Sequence, residues 1–130
     1  MGITESFTRK KVAKVFTDEN QTTYKFKNEL GSIMSIESPA GGGLITGTYT
    51  SGVSDPKTYP LTGFVSGNVI AFTVSFTQEG SISAWAGQAV FNEVKSVWEI
   101  HTLWHLVEPT APADMWEDTF AGSDIFKQVT

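Results

Sequence analysis

From about residue 24 onward, apolar residues alternate with polar ones in short runs. Eight runs can be drawn, near 24–29, 32–37, 44–50, 59–65, 69–77, 81–91, 97–107 and 119–129. Clusters rich in Gly, Pro, Asn, Asp and Ser separate most of them, at 39–43, 54–57, 66–68, 78–80, 92–96 and 108–114. No run keeps a helical period over about ten residues. Short strands joined in order by short turns predict an all-β, antiparallel up-and-down meander. Eight such strands can close into a barrel that leaves no edge. A β-sandwich is the alternative, and it would bury apolar residues alone on both inner faces.

Successive strand residues point to opposite faces, so parity sorts the side chains. Over 69–77, Ile70, Phe72, Val74 and Phe76 share one side, opposite Ala71, Thr73 and Ser75. Ser81, Ser83 and Trp85 share a side, as do Trp98, Ile100, Thr102, Trp104 and Leu106. Glu99, His101 and His105 then face the other way and read as surface or interface residues. Phe120, Gly122, Asp124 and Phe126 also share a face. Two of these faces mix hydroxyls or a carboxylate with large aromatics. In a dry core each unpartnered polar group would cost a few kcal/mol. A ligand pocket, by contrast, needs aromatic walls with a few placed polar groups. A Tyr, Trp or Ser taken singly reads as ordinary core or strand. Asp124 is different, because a buried carboxylate requires a partner.

Composition narrows the functional classes. The 130 residues hold 4 Trp, 9 Phe and 12 Gly, no Cys, two His and a net charge of −5. One domain with one core fits that length. Without cysteine there is no disulfide framework, thiolate metal site or thiol nucleophile, and two histidines make a metal centre an unpromising reading. An acidic chain with nine basic residues is a poor partner for nucleic acid, and no transmembrane run is present. Nor does any nucleophile–base pair stand out with an orienting group, so the chain reads as a binder and not an enzyme.

Charge is uneven along the chain. Residues 1–27 carry six basic against three acidic side chains, and residues 28–130 carry three against eleven. Residues 1–23 therefore read as a basic extension, partly ordered or flexible, and 24–130 as the barrel domain. No signal-peptide pattern occurs in the chain. Gly2 to Ser6 fits a short myristoylation pattern, and Asn20-Gln21-Thr22 a glycosylation pattern that matters only in a eukaryotic secretory pathway.

Five motifs in order resemble the avidin and streptavidin family of biotin-binding proteins. They are Asn28-Glu29-Leu30-Gly31-Ser32, Gly47-Thr48-Tyr49-Thr50-Ser51, Ser81 to Gln88 around Trp85, Thr102-Leu103-Trp104 with Leu106, and Trp116 with Thr119, Gly122, Asp124 and Phe126. The resemblance spans roughly 26–130. It implies an eight-stranded barrel with biotin in its mouth, a barrel size of which the relative streptavidin is an example. Biotin is then the ligand, and no cofactor is implied. By resemblance Asn28, Ser32 and Tyr49 donate to the ureido oxygen, while Ser51 and Asp124 accept from the ureido N–H groups. Ser83 faces the ring sulfur and Ser81 the carboxylate tail. Phe76, Trp85 and Trp104 wall the bicyclic ring, with Val53 and Leu106 also lining the site. Trp116 implies a pocket shared with a neighbouring subunit, hence an oligomer, with a tetramer favoured and a dimer second. The family also implies a secreted or extracytoplasmic protein.

Some residues depart from the family pattern. Phe76 stands where Trp is commoner, Phe26 replaces a Trp and Tyr24 a Gly. Asp55 lies near a position from which some members donate to the biotin carboxylate, which an ionised Asp would instead repel. The expected function is non-catalytic, high-affinity biotin binding. The alternative is an avidin-like scaffold with weakened biotin affinity that binds another small molecule or a protein partner.

Overall fold

A computed structural model describes residues 15–16, 21–77, 80–109 and 119–129. Eight strands follow one another: β1 (Thr23–Lys27), β2 (Ile33–Glu37), β3 (Leu44–Thr50), β4 (Thr58–Ser66), β5 (Val69–Phe76), β6 (Ser81–Asn92), β7 (Val97–Val107) and β8 (Thr119–Gln128). Each pairs antiparallel with the next, and β8 returns to β1, closing the barrel. All eight predicted runs are strands, and the sandwich alternative falls because the sheet has no break. Among the described residues, no helix is long and apolar enough to cross a membrane.

Local chemistry explains the chain reversals. The β4–β5 connection is the two-residue turn Gly67-Asn68, and Gly67 takes a positive φ of 59° that costs a glycine nothing. Between β2 and β3 a single 3-10 turn spans Gly41–Gly43.

Parity sorts the side chains as the sequence predicts. Ile70, Phe72 and Val74 are buried, while Ala71 and Thr73 are exposed. Phe26, Met34, Ile36, Ile45, Phe72, Val74, Ile100 and Phe126 form the fully buried interior. Burying one side chain of this size stabilises the fold by about 1.5–3 kcal/mol. Val15 and Phe16 are also buried, with the Phe16 ring edge-on to Tyr24 at 5.3 Å and to Phe26 at 6.1 Å. Phe16 thus packs beside β1.

The interior is not uniformly apolar. Asn28, Ser32, Ser81, Ser83, Thr102 and Asp124 are buried as well. Several lie toward one end of the barrel, where the β1–β2, β3–β4, β5–β6 and β7–β8 connections emerge. This end is the mouth.

Candidate functional site

Asn28 directly follows β1 and organises the first loop. Its Oδ1 accepts from the backbone N–H of Leu30 at 3.0 Å and of Ser32 at 2.9 Å. Both acceptances fall on the carbonyl oxygen, so the side chain presents its NH₂ to the interior. Ser32 behaves likewise. Its Oγ accepts from Gly52 N–H at 3.1 Å, which frees the hydroxyl proton to donate elsewhere. Both side chains lie in hydrogen-bonding reach of the Tyr49 phenol on β3. Burial raises that phenol above its ordinary value, more than the Ser32 and Asn28 bonds lower it. Tyr49 therefore remains protonated at neutral pH. An amide and two hydroxyls thus lie together inside the mouth.

Asp124 faces them from β8. The Trp85 indole Nε1 donates to Asp124 Oδ2 at 2.9 Å, and Thr102 Oγ1 donates to the Asp124 backbone carbonyl at 3.0 Å. Burial pushes the Asp124 carboxyl up, partly offset by the Trp85 bond, with the Glu29 charge adding to the rise and Asn28 opposing it. The mouth thus holds a donor cluster and a carboxylate acceptor whose second oxygen is not used by Trp85.

Aromatic rings floor this polar set. Trp85 stacks on Phe72, with centroids 5.1 Å apart and planes 12° from parallel, and lies 5.2 Å from Tyr49. Phe76 meets Tyr59 at 4.9 Å and Tyr49 at 6.0 Å, both edge-on. Trp104 is half-buried and lies directly over Gly122, its register partner across β7 and β8. A Cβ at Gly122 would come within 2.5 Å of Trp104 Cζ2, so only glycine leaves room for the ring.

The structure brings Asn28, Ser32, Tyr49, Phe76, Trp85 and Asp124 into one contact network. Ser81 and Ser83 are buried beside Trp85 on the inward face of β6, and Leu106 is half-buried beyond Trp104 on β7. Ser51 is half-buried and closes its loop, donating its N–H to Lys57 O at 3.1 Å. Val53 and Asp55 stand exposed on the loop between β3 and β4, apart from the inward set. Trp116 lies outside the described residues. Three contributors have no assigned role in the sequence reading: Phe72 as the stacking floor, Tyr59 behind Phe76, and Thr102 on the Asp124 backbone. Parity signals Phe72 and Thr102 as inward, but nothing local names their partners.

On the outer face, His101 and His105 are exposed, as expected. Glu99 differs. It is covered, with Asn92 Nδ2 donating to its Oε2 at 3.0 Å and His101 Nε2 2.9 Å from its Oε1. These bonds hold its carboxyl below the usual value, the Asn92 bond most strongly. Among the described residues no group of His, Cys, Asp and Glu is arranged to hold a metal ion.

A family model described as Avidin family matches residues 16–129. Among solved structures, xenavidin is 35% identical, with 81% of this chain and 94% of that chain covered and a TM-score of 0.74. A rhizavidin–biotin complex is 29% identical, with 83% and 92% covered and a TM-score of 0.69. A biotin-binding protein from chicken is 24% identical, with 85% and 97% covered and a TM-score of 0.76, a likeness of fold. No curated protein sequence matches the chain significantly.

Proposed function

Because this chain belongs to the avidin family, whose members bind biotin as a ligand and catalyse nothing, we propose that it captures biotin in the barrel mouth through the Asn28–Ser32–Tyr49 donors and the Asp124 acceptor. It is not an enzyme, and biotin is its ligand and not a cofactor. One observation carries the binding mode. The oxygens of Asn28 and Ser32 are already engaged by backbone N–H groups, so what they present inward are donors. Three donors suit one ureido oxygen and favour its polarised form. Asp124 suits a ureido N–H, with the carboxylate charge strengthening that bond. Phe72, Trp85 and Phe76 supply apolar surface for the ring system.

Binding needs little rearrangement of these groups. Each is held by a strand or by a loop with its own hydrogen bonds, which limits the ordering cost on association. Ser51, Ser81, Ser83, Val53, Leu106 and Trp104 complete the site in this reading. Asp55 stands toward the carboxylate tail.

We also propose that the chain works as an oligomer, a tetramer first and a dimer second, with Trp116 lent to a neighbour's pocket. Phe64 and Leu103, 61% and 71% exposed, support this. Both border an apolar groove of about 490 Å³ on the outer wall, with Ala71 and Ala86 between them in register. A patch of this kind favours association. Sequestration of biotin outside the cytoplasm is the use that fits the family.

Titration with biotin, followed by heat or Trp fluorescence, tests the binding reading. The expected result is saturable one-to-one binding that Asp124→Ala weakens strongly. No detectable binding at micromolar biotin would overturn it and favour a scaffold that binds something else.

A further inference from the structure

The seam that closes the barrel is its shortest ladder. On β1 only Phe26 and Lys27 find register partners on β8, Gln128 and Lys127. Beyond Lys27 the chain turns into the loop that carries Asn28 and Ser32, while β8 runs on toward the mouth. Extending the same register places Glu29 opposite Ile125. The contact found there is made by a side chain: Ile125 N–H donates to Glu29 Oε1 at 2.7 Å. The Glu29 carboxylate thus takes the place of a missing backbone carbonyl. Ile125 adjoins Asp124, and Glu29 adjoins Asn28.

We propose that Glu29 is a positioning residue of the biotin site, whose carboxylate fastens the part of β8 bearing Asp124 to the loop bearing Asn28 and Ser32. This inference rests on the biotin reading and adds to it a residue that does not itself touch the ligand. The ureido group must meet donors on one side of the seam and an acceptor on the other, and their spacing depends on how the two strands are held. Small displacements of such groups cost affinity steeply, because hydrogen bonds weaken sharply with distance and angle. A charge-assisted bond of 2.7 Å is well suited to hold that spacing.

Glu29 also acts on Asp124 directly, by charge and by a side-chain hydrogen bond, both of which raise the Asp124 carboxyl. Among the described residues, the titratable groups that bear on the Asp124 carboxyl are Glu29 from the first loop and Tyr49 from β3. Its other neighbours, Asn28, Trp85 on β6 and Thr102 on β7, do not titrate. Glu29 is therefore the nearby negative charge that opposes Asp124 ionisation.

Two variants separate position from charge. Glu29→Gln keeps an oxygen for Ile125 N–H but removes the charge, and Glu29→Ala removes both. The probe is a biotin amide, which has no titrating carboxylate. Its dissociation rate is expected to rise about tenfold in Glu29→Ala, the scale of one lost charge-assisted bond, and to stay within about threefold of the original in Glu29→Gln. In the ligand-free protein, NMR should show faster exchange of the Ile125 amide in Glu29→Ala and a lower Asp124 titration midpoint in Glu29→Gln. Unchanged dissociation in Glu29→Ala, while the parent protein binds normally, overturns the positioning role and leaves the biotin reading intact. Equal loss in both variants with an unmoved Asp124 midpoint also overturns it. If the parent protein does not bind the amide, the biotin reading fails and this inference fails with it.

Discussion

Trp85 and Asp124 lie 39 residues apart, and the indole Nε1 of one donates to Oδ2 of the other at 2.9 Å inside the barrel mouth. The bond gives a buried carboxylate the partner it requires. It engages only one of that carboxylate's two oxygens and ties the ring to the polar groups of the mouth.

Removing this donor should weaken binding without removing the aromatic wall. In Trp85→Phe, biotin affinity is expected to fall about 10- to 100-fold, the scale of a hydrogen bond to a charged group. Calorimetric titration measures it. An unchanged Kd would mean that the indole N–H has no part in presenting Asp124.

Acid should act on stability and on affinity in opposite directions. Burial holds the folded Asp124 carboxyl above its ordinary value of 3.8. As pH rises from that value through the raised one, the unfolded chain loses this proton before the folded barrel does. Asp124 thus contributes stability that is fully present below 3.8 and is lost as pH passes the raised value. Ligand affinity runs the other way, because the ionised carboxylate is the stronger acceptor for a ureido N–H. Biotin amide binding should therefore weaken on acidification through the same range. Asp124→Asn should flatten both profiles, and retention of either slope in that variant would assign the effect to another group.

Asp55 offers a test of tail recognition. It is exposed on the β3–β4 loop, and if the tail of biotin passes this loop, an ionised carboxylate there would repel the carboxylate of free biotin. Asp55→Asn is expected to improve free biotin binding severalfold and to leave the biotin amide unaffected, with the gain shrinking at high salt. Equal effects on both ligands, or none on either, would remove Asp55 from the site.

Gly122 is where sterics fix the position of a wall. Gly122→Ala drives a methyl group into the Trp104 ring. The expected cost is about 1–3 kcal/mol of stability, together with displacement of Trp104 and weaker biotin binding. Urea unfolding and Trp fluorescence read these out. Wild-type stability with full binding would show that the ring moves freely.

The oligomer reading predicts two distinct responses in size-exclusion chromatography with light scattering. Leu103→Glu should yield a smaller species by placing a charge on the apolar outer wall. Trp116→Lys should weaken biotin binding and loosen assembly together. A monomeric parent protein would end this reading.

Much of the barrel was readable in the chain because it depends on local rules. The period-two alternation of Ile70, Phe72 and Val74 against Ala71 and Thr73 marked an inward face, and the β4–β5 turn at Gly67-Asn68 marked where the chain reverses. Asp124 stood out because no apolar interior tolerates an isolated carboxylate. The motif at 28–32 marked Asn28 and Ser32 as candidates for the site, although not the way they are held.

Tertiary structure decided the rest. Strand alternation is the same in a sandwich and a barrel, so only the return of β8 to β1 settled the architecture. Asn28 could have offered either end of its amide, and the turn to Leu30 and Ser32 selected the NH₂. Glu29 reads as an ordinary loop charge in the sequence. It acquires its bond to Ile125, 96 residues away, only because the closing seam runs out of backbone partners at that point. Backbone geometry acts over a few residues and leaves a periodic mark in the chain. Pairing across the closing seam depends on the register of every strand between, and no short segment carries it.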